Sequence, residues 1–107
     1  MNILDNYSNN FNWNCKKGYL NVAKWLYSFN NVNIHADNEY IFRLSCHNGN
    51  LNIAKWLYSL NNVNIHALED EAFSWSCYNG YIRLVMWILM LLIIMHLNFN
   101  VKMVIWV

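Results

Sequence analysis

The stretch NVNIHA stands at Asn31–Ala36 and returns unchanged at Asn62–Ala67, 31 positions on. Sliding the whole chain by 31 also aligns Cys15, Cys46 and Cys77, then Gly18, Gly49 and Gly80, then Trp25, Trp56 and Trp87. Between Cys15–Ser45 and Cys46–Ser76, 19 of 31 positions are identical, so the segments are copies of one unit. Such a period marks a repeat architecture, in which each unit leaves an apolar face for its neighbour to cover.

Within the unit, NEYIFRLSCHN (Asn38–Asn48) is apolar at Ile41, Phe42 and Leu44 and small at Ser45 and Cys46, which predicts a helix packed on two sides. Asp37 or Asn38 is expected to cap its first turn, with Glu39 favoured there by the helix dipole. Gly49 supplies a left-handed stop. LNIAKWLYSL (Leu51–Leu60) sets Leu51, Ala54, Leu57 and Tyr58 on one face at helical spacing. Asn61-Asn62 ends this second helix, and VNIHA reads as an extended turn back to the next unit.

The order of these pieces resembles the ankyrin repeat: first helix, Gly49-Asn50-Leu51-Asn52-Ile53-Ala54, amphipathic second helix, then Val63-Asn64 in the turn. The resemblance spans Leu4 to Trp87. It implies an all-α, ankyrin-like solenoid of about three helix-turn-helix repeats with short protruding turns. The repeats fall at approximately 4–34, 35–65 and 66–95. The Lys-Trp-Leu-Tyr-Ser second helix, the 31-residue period and the wealth of Asn look like the ankyrin proteins encoded by giant DNA viruses. That likeness implies a module that binds an unknown protein partner, with a host protein as one candidate. Two departures stand out. Glu39-Tyr40-Ile41-Phe42 and Asp70-Glu71-Ala72-Phe73 replace the Thr-Pro-Leu-His start of the family, and Asn61-Asn62 replaces its Gly-Ala-Asp.

Composition narrows the function classes. Seven Lys+Arg against six Asp+Glu leave a net charge of +1, without the basic footprint that nucleic acid selects. There are 20 Asn and no Pro, which AT-rich codon usage explains more simply than function. MNILDNYSNN lacks the charged start and apolar run of a secretory leader, and three Cys is an odd number for a disulfide framework. The expectation is a reducing compartment such as the host cytoplasm. No nucleophile–base pair, phosphate loop or two-carboxylate site is legible, so an enzyme is not expected.

Cys15, Cys46 and Cys77, with His35, His47 and His66, invite a metal site. Copies one repeat apart stand roughly 10 Å from each other, too far to share one zinc at about 2.3 Å. The cysteines are therefore expected as small buried apolar residues, and neither metal nor cofactor is expected. His35 and His66 are expected to hydrogen-bond neighbouring backbone in the turn. Trp25, Trp56 and Trp87 are expected to pack between adjacent units.

The two full copies differ at Asp37/Leu68, Asn38/Glu69, Glu39/Asp70, Tyr40/Glu71, Arg43/Ser74, Leu44/Trp75 and His47/Tyr78. These positions lie on the turn tip and the first helix, the side by which ankyrin-like stacks contact partners. The expected partner-contact surface comprises Asp37, Asn38, Glu39, Arg43, His47, Leu68, Glu69, Asp70, Ser74 and Tyr78.

After Trp87 the pattern changes to ILMLLIIMHLNFNVKMVIWV, so the array is taken as 1–87 and a divergent apolar tail as 88–107. Leu84–Met95 is an uncharged run of 12, short of the roughly 20 residues a membrane span needs. An anchor formed by 84–97 is the alternative function. A further alternative is a decayed reading frame. Met95-His96 and Met103-Val104 require codons that read Ala and Gly one nucleotide earlier, a spacing like that of Ala72 and Gly80. The tail is thus expected to be a frameshifted fourth repeat, which leaves the array without a polar C-terminal cap.

Overall fold

The computed structural model describes residues 3–29, 32–60 and 63–97. Six helices account for nearly all of them: α1 Ile3–Lys17, α2 Leu20–Phe29, α3 Ala36–His47, α4 Leu51–Leu60, α5 Ala67–Tyr78 and α6 Ile82–Leu97. No strand occurs among the described residues, and the protein is all-helical. The helices form three antiparallel pairs, α1–α2, α3–α4 and α5–α6, and α3 packs between α1 and α5.

Each pair turns through one glycine. Gly49 has φ +73°, its N–H donates to the Cys46 carbonyl at 3.2 Å, and the Asn50 N–H donates to the Ser45 carbonyl at 2.8 Å. This 6→1 and 5→2 pairing satisfies carbonyls that the helix end would otherwise orphan. The same bonds recur at Gly18 and Gly80. The second helix Leu51–Leu60 matches the predicted span, with Ala54, Leu57 and Tyr58 buried, Leu51 half-buried, and Ile53 added to the core.

The start of the first helix departs from expectation. Asp37 and Asn38 cap nothing; with Glu39 they form a left-handed turn, at φ 54°, 56° and 63°. Leu68, Glu69 and Asp70 repeat it at φ 52°, 57° and 62°. Left-handed backbone brings Cβ against the following carbonyl, so right-handed helix resumes only after Glu39 and Asp70. The connectors are also less peripheral than an extended protruding turn implies, because Ile34, Val63 and Ile65 are buried in the core.

Packing between pairs follows the period. Trp56 meets the rings of Phe11 and Tyr27, at 6.0 and 5.7 Å between centroids. One unit later Trp87 meets Phe42 and Tyr58, at 6.2 and 5.9 Å. Trp25, in the first described pair, is 59% exposed and rests on Phe29 of its own helix. The inter-unit packing expected of all three tryptophans therefore holds at two.

The boundary drawn at 87/88 falls inside α6, which buries Ile88, Leu91 and Ile94 along with Leu84 and Trp87. Residues 88–97 continue the last helix because their apolar side chains keep helical spacing against the core. Among the described residues no helix is long and apolar enough to cross a membrane. Most of the expected frameshifted repeat, at 98–107, lies outside the described residues.

Candidate partner-contact surface

Each connector begins with an Asx turn: Asn33 Oδ1 accepts the His35 N–H, and Asn64 Oδ1 accepts the His66 N–H, both at 3.0 Å. The turn aims each imidazole along the chain. His35 Nδ1 meets Glu39 Oε1 at 2.5 Å, and His66 Nδ1 meets Asp70 Oδ1. The histidines therefore pair with carboxylates four residues on, rather than with backbone as expected. The left-handed turn is what brings each carboxylate back onto its imidazole.

Glu39 does more than its counterpart. Its Oε2 accepts the Asn64 backbone N–H of the next connector at 2.8 Å, and the residue is only 6% exposed. It is a buried tie between successive connectors. Glu39 thus drops out of the expected contact surface, because the extra methylene relative to Asp70 lets it reach inward.

Arg43 is half-buried, and each of its three guanidinium nitrogens donates a hydrogen bond. Nε and Nη2 donate to the Asn38 and Asp37 carbonyls at 2.9 Å, and Nη1 donates to Glu71 Oε1 at 3.0 Å. Its guanidinium also lies 5.7 Å from the Tyr40 ring centroid. One side chain caps the left-handed turn, joins α3 to α5 and flattens a tyrosine at the surface. Ser74, at the equivalent place, is exposed and makes none of these contacts in the second copy.

The remaining expected residues are at the surface. Asp37, Asn38, Leu68 and Glu69 occupy the two tips, Asp70 is half-exposed, and His47 and Tyr78 lie exposed toward the ends of α3 and α5. Tyr78 is 82% exposed. The structure joins His47 and Tyr78 through Trp75, whose ring lies 4.7 Å from the imidazole and 5.6 Å from the phenol. A shallow open hollow of about 250 Å³ sits above Tyr40, Arg43, Leu44, His47, Glu71 and Trp75.

Tyr40 and Trp75 were outside the expected set, although both stand where the two copies differ. A second, larger groove of about 500 Å³ runs along the glycine turns, past Gly18, Asn50, Gly80, Tyr81 and Arg83. Sequence reasoning missed it. Its one legible signal is Asn50, whose side-chain amide donates to the Cys15 and Lys16 carbonyls at 3.1 and 2.9 Å.

Cys15 and Cys46 are fully buried, and burial pushes both thiols up to about 12, so neither is a ready nucleophile or ligand. Cys77 is exposed, against expectation. No group of three or more His, Cys, Asp or Glu that could hold a metal occurs among the described residues. Set beside known proteins, the chain matches no family, no curated protein and no solved structure.

Proposed function

We propose that this chain is a non-catalytic protein-binding module, an ankyrin-like solenoid of about three repeats, whose partner docks on the α3–α5 surface. The observation that carries the reading is the cluster of Tyr40, Trp75 and Tyr78 around the pinned Arg43, exposed on stacked first helices. Tyr, Trp and Arg are the residues that most often dominate binding energy at protein interfaces. They are also side chains that need little ordering on association, and here the Arg43 fork is already held.

The reading is non-catalytic because six titratable groups of this region are held in pairs: His35 with Glu39, His66 with Asp70, Arg43 with Glu71. Such pairs shape a surface rather than wait for a substrate. The charge of the chain, near zero, suits a protein partner better than nucleic acid.

The test presents the full chain to a displayed library of protein fragments and compares it with the Trp75→Ala/Tyr78→Ala double variant. Binders that lose roughly 30-fold or more in affinity on the variant, as hot-spot loss predicts, support the reading. Binders indifferent to the double variant, or none at all, overturn it.

A further inference from the structure

The two ends of the stack are complementary to each other. Trp56 and Trp87 each enter a slot formed by an aromatic of the preceding first helix and one of the preceding second helix. Moved on by one more period, the equivalent positions are the half-buried Phe73 and, with leucine in place of the second aromatic, the exposed Leu89 at the C-terminal end. Moved back, the entering ring is Trp25 at the N-terminal end, exposed as well.

The glycine turns repeat the pattern. A Cβ at Gly49 would strike the Tyr81 ring at 2.8 Å, and one at Gly18 would strike Asn50 Oδ1 at 2.9 Å. Gly80 has nothing within 4 Å, while Tyr19, one period before Asn50, is exposed at the other end. The buried Cys15 and Cys46 have their exposed counterpart in Cys77. One chain thus carries both halves of an interface that it already makes twice internally.

We propose that the occupant of each end is a second copy of this chain, joined head to tail. Trp25 of one copy enters the Phe73–Leu89 slot of the next, and Tyr19 covers its Gly80. The contact continues the stacking of the units across the molecular boundary. Because the two surfaces differ, the contact is heterologous and does not close at two copies; it grows into an open filament. This inference rests on the ends of the stack and not on the partner surface of α3 and α5.

The test is sedimentation velocity on the full chain over a range of concentrations, with two charge variants. Trp25→Glu removes the entering ring, and Leu89→Glu spoils the slot. The wild type is expected to rise through dimer and trimer without a plateau, and each variant to stay monomeric. An equimolar mixture of the variants retains one good surface of each kind, so it forms a 1:1 dimer and stops there.

Alkylation of Cys77 in the wild type is expected to slow as concentration rises. Should Leu89→Glu lose cooperative unfolding, Cys77→Glu, at the exposed counterpart of the buried Cys15 and Cys46, takes its place. A wild type that stays monomeric throughout overturns the proposal, whether the end is bare or covered by residues 98–107 of the same chain. So does a dimer plateau, or a variant mixture that remains monomeric.

Discussion

At the scale of single residues, Glu39 and its counterpart Asp70 differ by one methylene, and that decides which of them ties the fold together. Glu39 is buried and holds both the His35 imidazole and the Asn64 N–H. Removing it leaves a backbone donor without its acceptor, at a cost of about 1–3 kcal/mol. Glu39→Ala is therefore expected to lower unfolding free energy by roughly 2 kcal/mol in urea titration. Asp70→Ala breaks only an exposed ion pair and should cost less than about 1 kcal/mol. Equal losses would show that Glu39 is no tie. The left-handed turns give a second expectation. Leu68, at φ 52° and exposed, has the least suitable side chain of the six residues in them. Asp and Asn tolerate this backbone better, and Gly carries no penalty there. Leu68→Gly should accordingly raise the melting temperature, by the equivalent of about 0.5–1 kcal/mol. A fall would place the strain elsewhere.

Among elements, α2 and α4 are near copies in sequence and α6 keeps their tryptophan, but the three second helices stand in unequal surroundings. Trp87 sits 5% exposed against Phe42 and Tyr58, while Trp25, at the equivalent place in α2, is largely exposed and rests on Phe29 of its own helix. Trp87→Ala is expected to cost about 3–5 kcal/mol, the range for emptying a large aromatic site. Trp25→Ala should stay within about 0.5 kcal/mol at monomer concentrations, as exposed substitutions do. Chemical denaturation of the two variants side by side checks this. The Trp87 indole N–H is buried with no acceptor, a cost built into the native site. Trp87→Phe removes that donor with the extra ring, so it should cost much less than the alanine change.

For the whole molecule, the buried thiols set an alkaline limit. Burial holds Cys15 and Cys46 near 12 in the folded chain against about 9 when exposed, and burial raises Tyr58 in the same sense. Above pH 9 the unfolded chain releases thiol protons that the folded chain keeps, so the unfolded state binds fewer protons and stability falls with pH. The contribution of the buried thiols is whole below pH 9 and is lost progressively toward pH 12. The slope approaches about 1.4 kcal/mol per pH unit for each thiol. Denaturation midpoints measured from pH 8 to 11 should drop, and Cys15→Ala/Cys46→Ala should flatten the profile. A profile equally steep in the double variant would assign the limit to other groups.

The sequence by itself determined the helices and their punctuation. Glycine at three positions 31 apart, an amphipathic Leu51–Leu60 and the apolar core of the first helix are local statements that backbone sterics and helical periodicity are enough to read. Many of the positions where the two copies diverge are exposed, but Glu39 and the pair Ile41 and Ala72 are buried, so divergence alone does not mark the surface. The tertiary structure alone decided what depends on a neighbour. Which cysteine is bare, which tryptophan is buried and which acidic residue turns inward all follow from the place of a unit in the stack, and identical words carry no record of place. The left-handed turns were hidden for a related reason. Asp37 and Asn38 make good caps in isolation, but the turn recurs at Leu68–Asp70 without an arginine or a buried tie, and what the two copies share is the imidazole–carboxylate contact of His35 with Glu39 and of His66 with Asp70.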